Sequence, residues 1–277
     1  MKKYSALLLI LPLLALAGCG SNNEKVITVC ASEIPHAEVL NDAVKPLVEK
    51  EGYTLKVTVL DWTLQNDAVY NGDYDANYFQ HRPYLQQYDC GSTNYDTTYT
   101  YTKIFPTASV HFEPLRIYPG KKTAAEFETS KTTASYIICN DVSNKIRALE
   151  LLKNNGVISS YTTDKDGNPT NLPSNITPIE ENLLVSSMKD YDYAVLPTNS
   201  ALTGKLTADS TLPVETDSVK DRNANVLAAS VSRYANDATY KTKIDVLTSA
   251  ILSSSVATYI QEHYQGVIST AQQDLRK

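Results

Sequence analysis

The chain has 277 residues, 42% of them hydrophobic, and a formal net charge of −6 from 31 acidic and 25 basic side chains. That is enough length and apolar content for a large core and for division into two lobes. A net acidic chain with no basic stripe excludes a protein that tracks nucleic-acid phosphates, and past the amino terminus no apolar run approaches a bilayer span.

Met1-Lys2-Lys3 precedes an apolar run from Tyr4 to Ala17, interrupted only by Ser5 and Pro12. A charged start followed by an apolar stretch too short to span is a secretory signal pattern. It ends in Leu16-Ala17-Gly18-Cys19, which resembles a bacterial lipobox. Residues 1–18 are therefore expected to be removed as a lipoprotein signal peptide. Cys19 becomes the first mature residue, lipidated on its sulfur and amine, and residues 19–24 form a tether. Losing Lys2 and Lys3 removes two positive charges and takes the net charge to −8. The anchor would place the protein on the extracytoplasmic face of a bacterial cell membrane. Cys30, Cys90 and Cys139 remain, an odd number without a CxxC spacing. Buried free thiols at the strand ends are the favoured reading for Cys30 and Cys139, with Cys90 in a loop. One disulfide stays open as an alternative.

Val26 to Cys30 reads as a buried strand. Pro35 fits the first turn of a helix with Ser32 as a cap nearby, and Val39, Leu40, Ala43, Val44, Leu47 and Val48 form its apolar stripe. Gly52 closes that helix, and Leu55, Val57 and Val59 alternate in a second strand. A short helix over 64–70 and a strand over 76–79 repeat the order. Strands follow over 107–118, broken near Pro114, and over 132–139, then a helix over 144–155 ended by Gly156. Residues 160–174 read as an exposed loop or hairpin. A strand over 176–179, a helix from 183, a strand over 193–196, a final strand over 225–232 and two helices over 240–263 complete the chain. Alternating strands and helices give an α/β fold with largely parallel sheets.

Asp75 to Leu85 reads DANYFQHRPYL, placing Tyr78, Phe79, His81, Arg82 and Tyr84 within seven positions. Aromatic walls with a few fixed polar groups suit a concave ligand site. The segment resembles the D-A-N-F-F-Q-H-x-P-Y-L signature of the NlpA-type methionine-binding lipoproteins, receptors of amino-acid ABC importers. That resemblance implies a two-lobed, periplasmic-binding-protein-like (type II) fold with the ligand between the lobes. Residues 25–112 plus 223–277 would form lobe 1 and residues 113–222 lobe 2, with crossings near 111–114 and 221–225.

The resemblance also implies roles. NDVSNKIRALELL is similar to the family's N-D-P-T-N-x-x-R-A-L-x-L-L, so Arg147 would grip the ligand carboxylate, an ion that guanidinium binds in a bidentate way. Asn199 in AVLPTNSA and Asn225 in NANVLAAS match positions that contact the amino-acid backbone, and an amide offers both donor and acceptor. Trp62, Phe79, His81 and Tyr84 would form the side-chain pocket; Tyr78 and Phe79, as neighbours on a strand, point opposite ways, and the family pattern puts Phe79 in the pocket and leaves Tyr78 as packing. His36 and His111 read as structural or hinge histidines. The expected ligand is methionine, L- and also D-, or a closely related amino acid; another amino acid or a short peptide is the alternative. The expected partners are an ABC permease and its ATPase.

Several positions depart from the pattern. Trp62 replaces a Tyr, Leu115-Arg116 a Met-Gly, Cys139 and Val142 two prolines, and Pro197-Thr198 and Ser200 an Asn-Gly and a Tyr. Other classes are weaker. G-x-S-x-G, P-loop and dinucleotide patterns are missing, so no catalytic residue or cofactor is expected. The four histidines lie far apart without ligand spacing, so no metal is expected. A surface lipoprotein with an adhesion role is the remaining alternative.

Overall fold

Val26–Ala31 (β1) shows how the sheet arises from the sequence. Ile27, Val29 and Ala31 point into one apolar cluster and Cys30 into another on the opposite face. Such two-sided burial is what a strand covered by helices on both faces requires. The computed structural model describes residues 22–264 and 266–276. The expected signal segment and Cys19 lie outside the described residues.

The other strands are Thr54–Val59 (β2), Ala76–His81 (β3), Ile104–Phe112 (β4), Arg116–Pro119 (β5), Tyr136–Cys139 (β6), Thr162–Thr163 (β7), Pro169–Thr170 (β8), Ile176–Ile179 (β9), Tyr193–Leu196 (β10), Ala224–Ser230 (β11) and Ser269–Asp274 (β12). One sheet runs β12-β4-β11-β3-β1-β2 and a second runs β5-β10-β6-β9, while β7 and β8 form a small hairpin. Helices cover both faces of each sheet, giving two lobes. In the second lobe Tyr193 and Val195 pack on one side of β10, and Ala194 and Leu196 on the other. The chain passes from the first sheet to the second between Phe112 and Arg116, and returns to the first at Ala224.

The sheets are more mixed than expected. In the first, β1 pairs in parallel with β2 and β3, but β11 runs antiparallel to β3 and β4, and β12 antiparallel to β4. β11, which enters from the second lobe, runs in the opposite sense to its neighbours. Other expectations shift as well. The strand expected over 132–139 begins only at Tyr136, after a turn. The strand at 225–232 is not the last, because β12 follows the two carboxyl-terminal helices. Cys90 ends the helix Arg82–Cys90 and is not in a loop; Gly91, at φ +76°, supplies the left-handed residue that stops it. Ser32 makes no side-chain cap, since Ile34 is extended and the helical turns start later. Cys30, Cys90 and Cys139 are free thiols, with Cys30 and Cys139 buried. No helix among the described residues is long and apolar enough to cross a membrane.

Tyr240 ties the carboxyl-terminal helix Ala238–Ile251 to the first sheet. Its buried hydroxyl donates to the Asp75 carbonyl at 2.5 Å and accepts from the Ser230 N–H at 3.0 Å. Tyr240→Phe should lower the unfolding free energy by about 1–2 kcal/mol, because both backbone groups stay buried without that partner. A urea unfolding midpoint equal to that of the parent chain would contradict this.

Candidate functional site

The carboxyl ends of parallel strands in both lobes face each other, the usual ligand position in open α/β sheets. Between them lies a small cavity of about 50 Å³. All seven residues expected at the site border it. From the first lobe come Phe79 and His81 on β3, Tyr84 in the helix that follows, Trp62 in the helix Trp62–Tyr70, and Asn225 near the start of β11. The second lobe supplies Arg147 from the helix Val142–Asn154 and Asn199 from the helix after β10.

One wall is aromatic. The Tyr84 ring meets Trp62, Phe79 and His81 edge-on, at centroid separations of 5.5, 5.9 and 6.4 Å. Strand alternation separates Phe79 from Tyr78, which is fully buried and bonds His111 Nδ1 through its hydroxyl. The His81 tautomer follows from its contacts. Nδ1 accepts the Tyr84 N–H at 3.2 Å, so Nε2 carries the proton and donates to Asn144 Oδ1 at 3.2 Å. Burial first, then the nearby Arg147 charge, pushes the His81 pKa down to about 3, so the ring is neutral.

The other wall is polar. Asp141 caps the helix that carries Arg147 by accepting the Asn144 N–H at 3.0 Å. Arg147 is buried, and its Nε and Nη2 clamp Glu215 at 3.0 and 2.6 Å. Nη2 also donates to the Glu113 carbonyl at 2.9 Å, and Nη1 donates to Asn144 Oδ1 at 3.2 Å. The guanidinium is thus fixed in place, with its Nη1 edge on the side of Asn144. Asn199 Nδ2 donates to Glu181 Oε1 at 3.1 Å, and the Ser200 hydroxyl donates to the same oxygen at 2.7 Å. Asn225 Oδ1 lies 3.1 Å from His36 Nε2.

His36 and His111 form a buried group with Glu113, their Nε2 atoms 3.2 and 2.7 Å from Glu113 Oε1. Burial drives the two imidazoles down to about 4 and about 3, so they donate as neutral rings, and it pushes the Glu113 carboxyl up. Sequence spacing hid this cluster, which the fold assembles from residues 36 and 111–113. Five more polar residues at or behind the cavity are not singled out by the sequence: Gln80, Glu113, Asn144, Glu181 and Glu215. Gln80 and Asn144 lie inside DANYFQHRPYL and NDVSNKIRALELL, and Glu113 follows directly on β4. Glu181 looks like an ordinary acid at a helix start, and Glu215 carries no local signal.

The model of the family described as NlpA lipoprotein matches residues 27–271. The chain belongs to the NlpA lipoprotein family. Among NlpA-related proteins, the methionine-binding lipoprotein MetQ of Bacillus subtilis is 33% identical over 269 residues, covering 91% of this chain and 92% of that protein. The D-methionine-binding lipoprotein MetQ of Salmonella typhi is 31% identical over 219 residues, covering 74% and 75%. A nutrient binding protein from Burkholderia cenocepacia, solved bound to methionine, superposes with a TM-score of 0.72 at 27% identity, covering 88% of this chain and 99% of that one.

Proposed function

We propose that this NlpA-family chain is the substrate-binding lipoprotein of an ABC importer and holds methionine, or a closely related amino acid, in the interlobe cavity. The observation that carries this is the convergence of Trp62, Phe79, His81, Tyr84, Arg147, Asn199 and Asn225, from both lobes, on one cavity. The methionine-bound relative of the same fold supports the ligand class. In this reading Arg147 offers its Nη1 edge to the ligand carboxylate and shares its charge with Glu215. Asn199 and Asn225 address the ammonium and carboxylate, and the four rings take the side chain. Sulfur–aromatic contacts favour a thioether there.

Residues 25–112 with 223–277 would move as one lobe and residues 113–222 as the other. Ligand contacts made to both lobes at once would favour the closed state, the form that docks on the permease and its ATPase. Lipid on Cys19 would keep the receptor at the membrane, and binding would proceed without turnover. Calorimetry on protein unfolded and refolded to strip carried-over ligand tests the reading. L-methionine, D-methionine, a methionine dipeptide and the other amino acids are the titrants. Saturable binding of an amino acid is expected; silence from every titrant would overturn the receptor assignment in favour of a non-transport role.

A further inference from the structure

The two lobes also meet outside the cavity. The tip of the β7–β8 hairpin, in the second lobe, reaches the loop that follows the helix Arg82–Cys90 in the first. The Asp166 carbonyl accepts twice from one residue there, from the Thr93 hydroxyl at 2.7 Å and from the Thr93 N–H at 3.3 Å. Gly167 lies against the same loop. A Cβ at that position would come 2.6 Å from Asn94 Oδ1 and 2.7 Å from Thr93 Oγ1, and its φ of +87° is one that side chains seldom adopt. Thr93, Asn94, Asp166 and Gly167 all lie outside the cavity lining.

Both ends of this contact are rooted in helices that carry expected ligand contacts. In the first lobe the buried Gln86 fixes the loop, donating to the Asn94 carbonyl at 3.0 Å and accepting the Asp96 N–H at 3.1 Å. Gln86 stands on the same helix as Tyr84. In the second lobe Tyr161, at the foot of the hairpin, donates to Glu150 Oε1 at 2.6 Å, on the helix that carries Arg147. The hairpin also holds its own shape. The Asp164 N–H donates to the Asn168 carbonyl, and Asn168 Nδ2 returns a bond to Asp164 Oδ2, each at 2.9 Å. Lobes that swing apart therefore break the Thr93–Asp166 bonds, because neither end can follow the other.

We propose that the β7–β8 tip is a strap that holds the cleft shut and sets how long a ligand stays. In a receptor whose free form is open, contacts made only in the closed state raise affinity for every ligand alike. They change the fraction of binding-competent chain and touch no ligand atom. Release requires opening, so the strap acts on the dissociation rate, while entry into the open form is unchanged. This inference rests on the amino-acid-receptor reading and adds to it a determinant of ligand retention away from the ligand.

Two substitutions separate the strap from the cavity. Thr93→Val removes the hydroxyl donor and keeps the side-chain shape. Gly167→Asn puts a Cβ into the contact, using a residue type that tolerates positive φ better than most. Stopped-flow Trp62 fluorescence and calorimetry on the purified, refolded protein test both, with L-methionine, D-methionine and the other amino acids as ligands. Each variant should release its ligand about fivefold faster, the net contribution of one ordinary hydrogen bond. Association rates should stay within about twofold of the parent, and the order of preference among amino acids should not change. Parental release rates in both variants would overturn the inference and leave the receptor reading standing. A changed ligand preference would overturn it too, because a strap outside the cavity cannot tell ligands apart. Should one variant fail to fold, the other decides. No binding of any amino acid by the parent chain would remove the receptor reading itself and this inference with it.

Discussion

Replacing Arg147 by alanine is expected to weaken amino-acid binding by a factor of about thirty or more, equivalent to about 2 kcal/mol from one lost charge-assisted contact. The same change should also destabilise the free protein. Glu215, whose side chain is only 7% exposed, would keep a buried carboxylate without its guanidinium. Removing one partner of a buried pair costs about 3 kcal/mol or more, mostly from the charge left behind. The two effects separate in a double variant, Arg147→Met with Glu215→Gln, which leaves neither charge stranded. Unfolding of that variant should need more urea than unfolding of Arg147→Ala, while binding stays weak. Near-parental affinity in Arg147→Ala would sink the proposed ligand orientation; recovery of binding in the double variant would show that the single change acted through folding.

The second large effect is acid sensitivity. His36, His81 and His111 have pKa values pushed down from the ordinary 6.5 to about 4, about 3 and about 3, burial being the first cause in each case. The unfolded chain therefore takes up protons at these positions as pH falls below 6.5, while the folded chain does not. Their contribution to stability is fully present above pH 6.5 and is lost as pH falls through that value towards 4 and 3. Glu113 and Glu181 act in the opposite sense, because their raised values let the folded state accept protons earlier. With three histidines against two carboxyls, a net loss of stability is expected between pH 7.5 and pH 5.5. That window lies above the ordinary range of most carboxylates, so urea midpoints at the two pH values isolate the effect. Equal midpoints would contradict the assignment of neutral, desolvated rings.

Much of this site is legible because ligand-facing residues sit within short, continuous motifs. DANYFQHRPYL is one strand and the first turn of one helix, so alternation puts Phe79 and His81 on one face, and the family resemblance picks that face, with Tyr84, as the pocket wall. Arg147 is legible for a similar reason, lying in the second turn of the helix that Asp141 caps. What stays hidden is what the fold brings from a distance. Glu215 lies 68 residues beyond Arg147 in a Thr- and Asp-rich stretch, and nothing local marks it as a counter-ion. Glu113 and His36 are joined only when β4 and the turns after β1 pack together. β12, with the sequence STAQQD, escapes because an edge strand paired on one side needs no apolar alternation. The antiparallel pairings of β11 follow from the return of the chain from the other lobe, which periodicity does not encode.

The chain has a single tryptophan, Trp62, and it stands on the wall of the cavity. Its fluorescence therefore reports on this cleft and on no other part of the molecule. The most direct test of a ligand site between the lobes is a fluorescence titration of stripped protein with the amino acid that calorimetry identifies. The account predicts a saturable change at one ligand per chain, with a midpoint equal to the calorimetric one and shifted at least thirtyfold (about 2 kcal/mol) in Arg147→Ala. A flat Trp62 signal while calorimetry records saturable binding would place the ligand elsewhere and contradict the account.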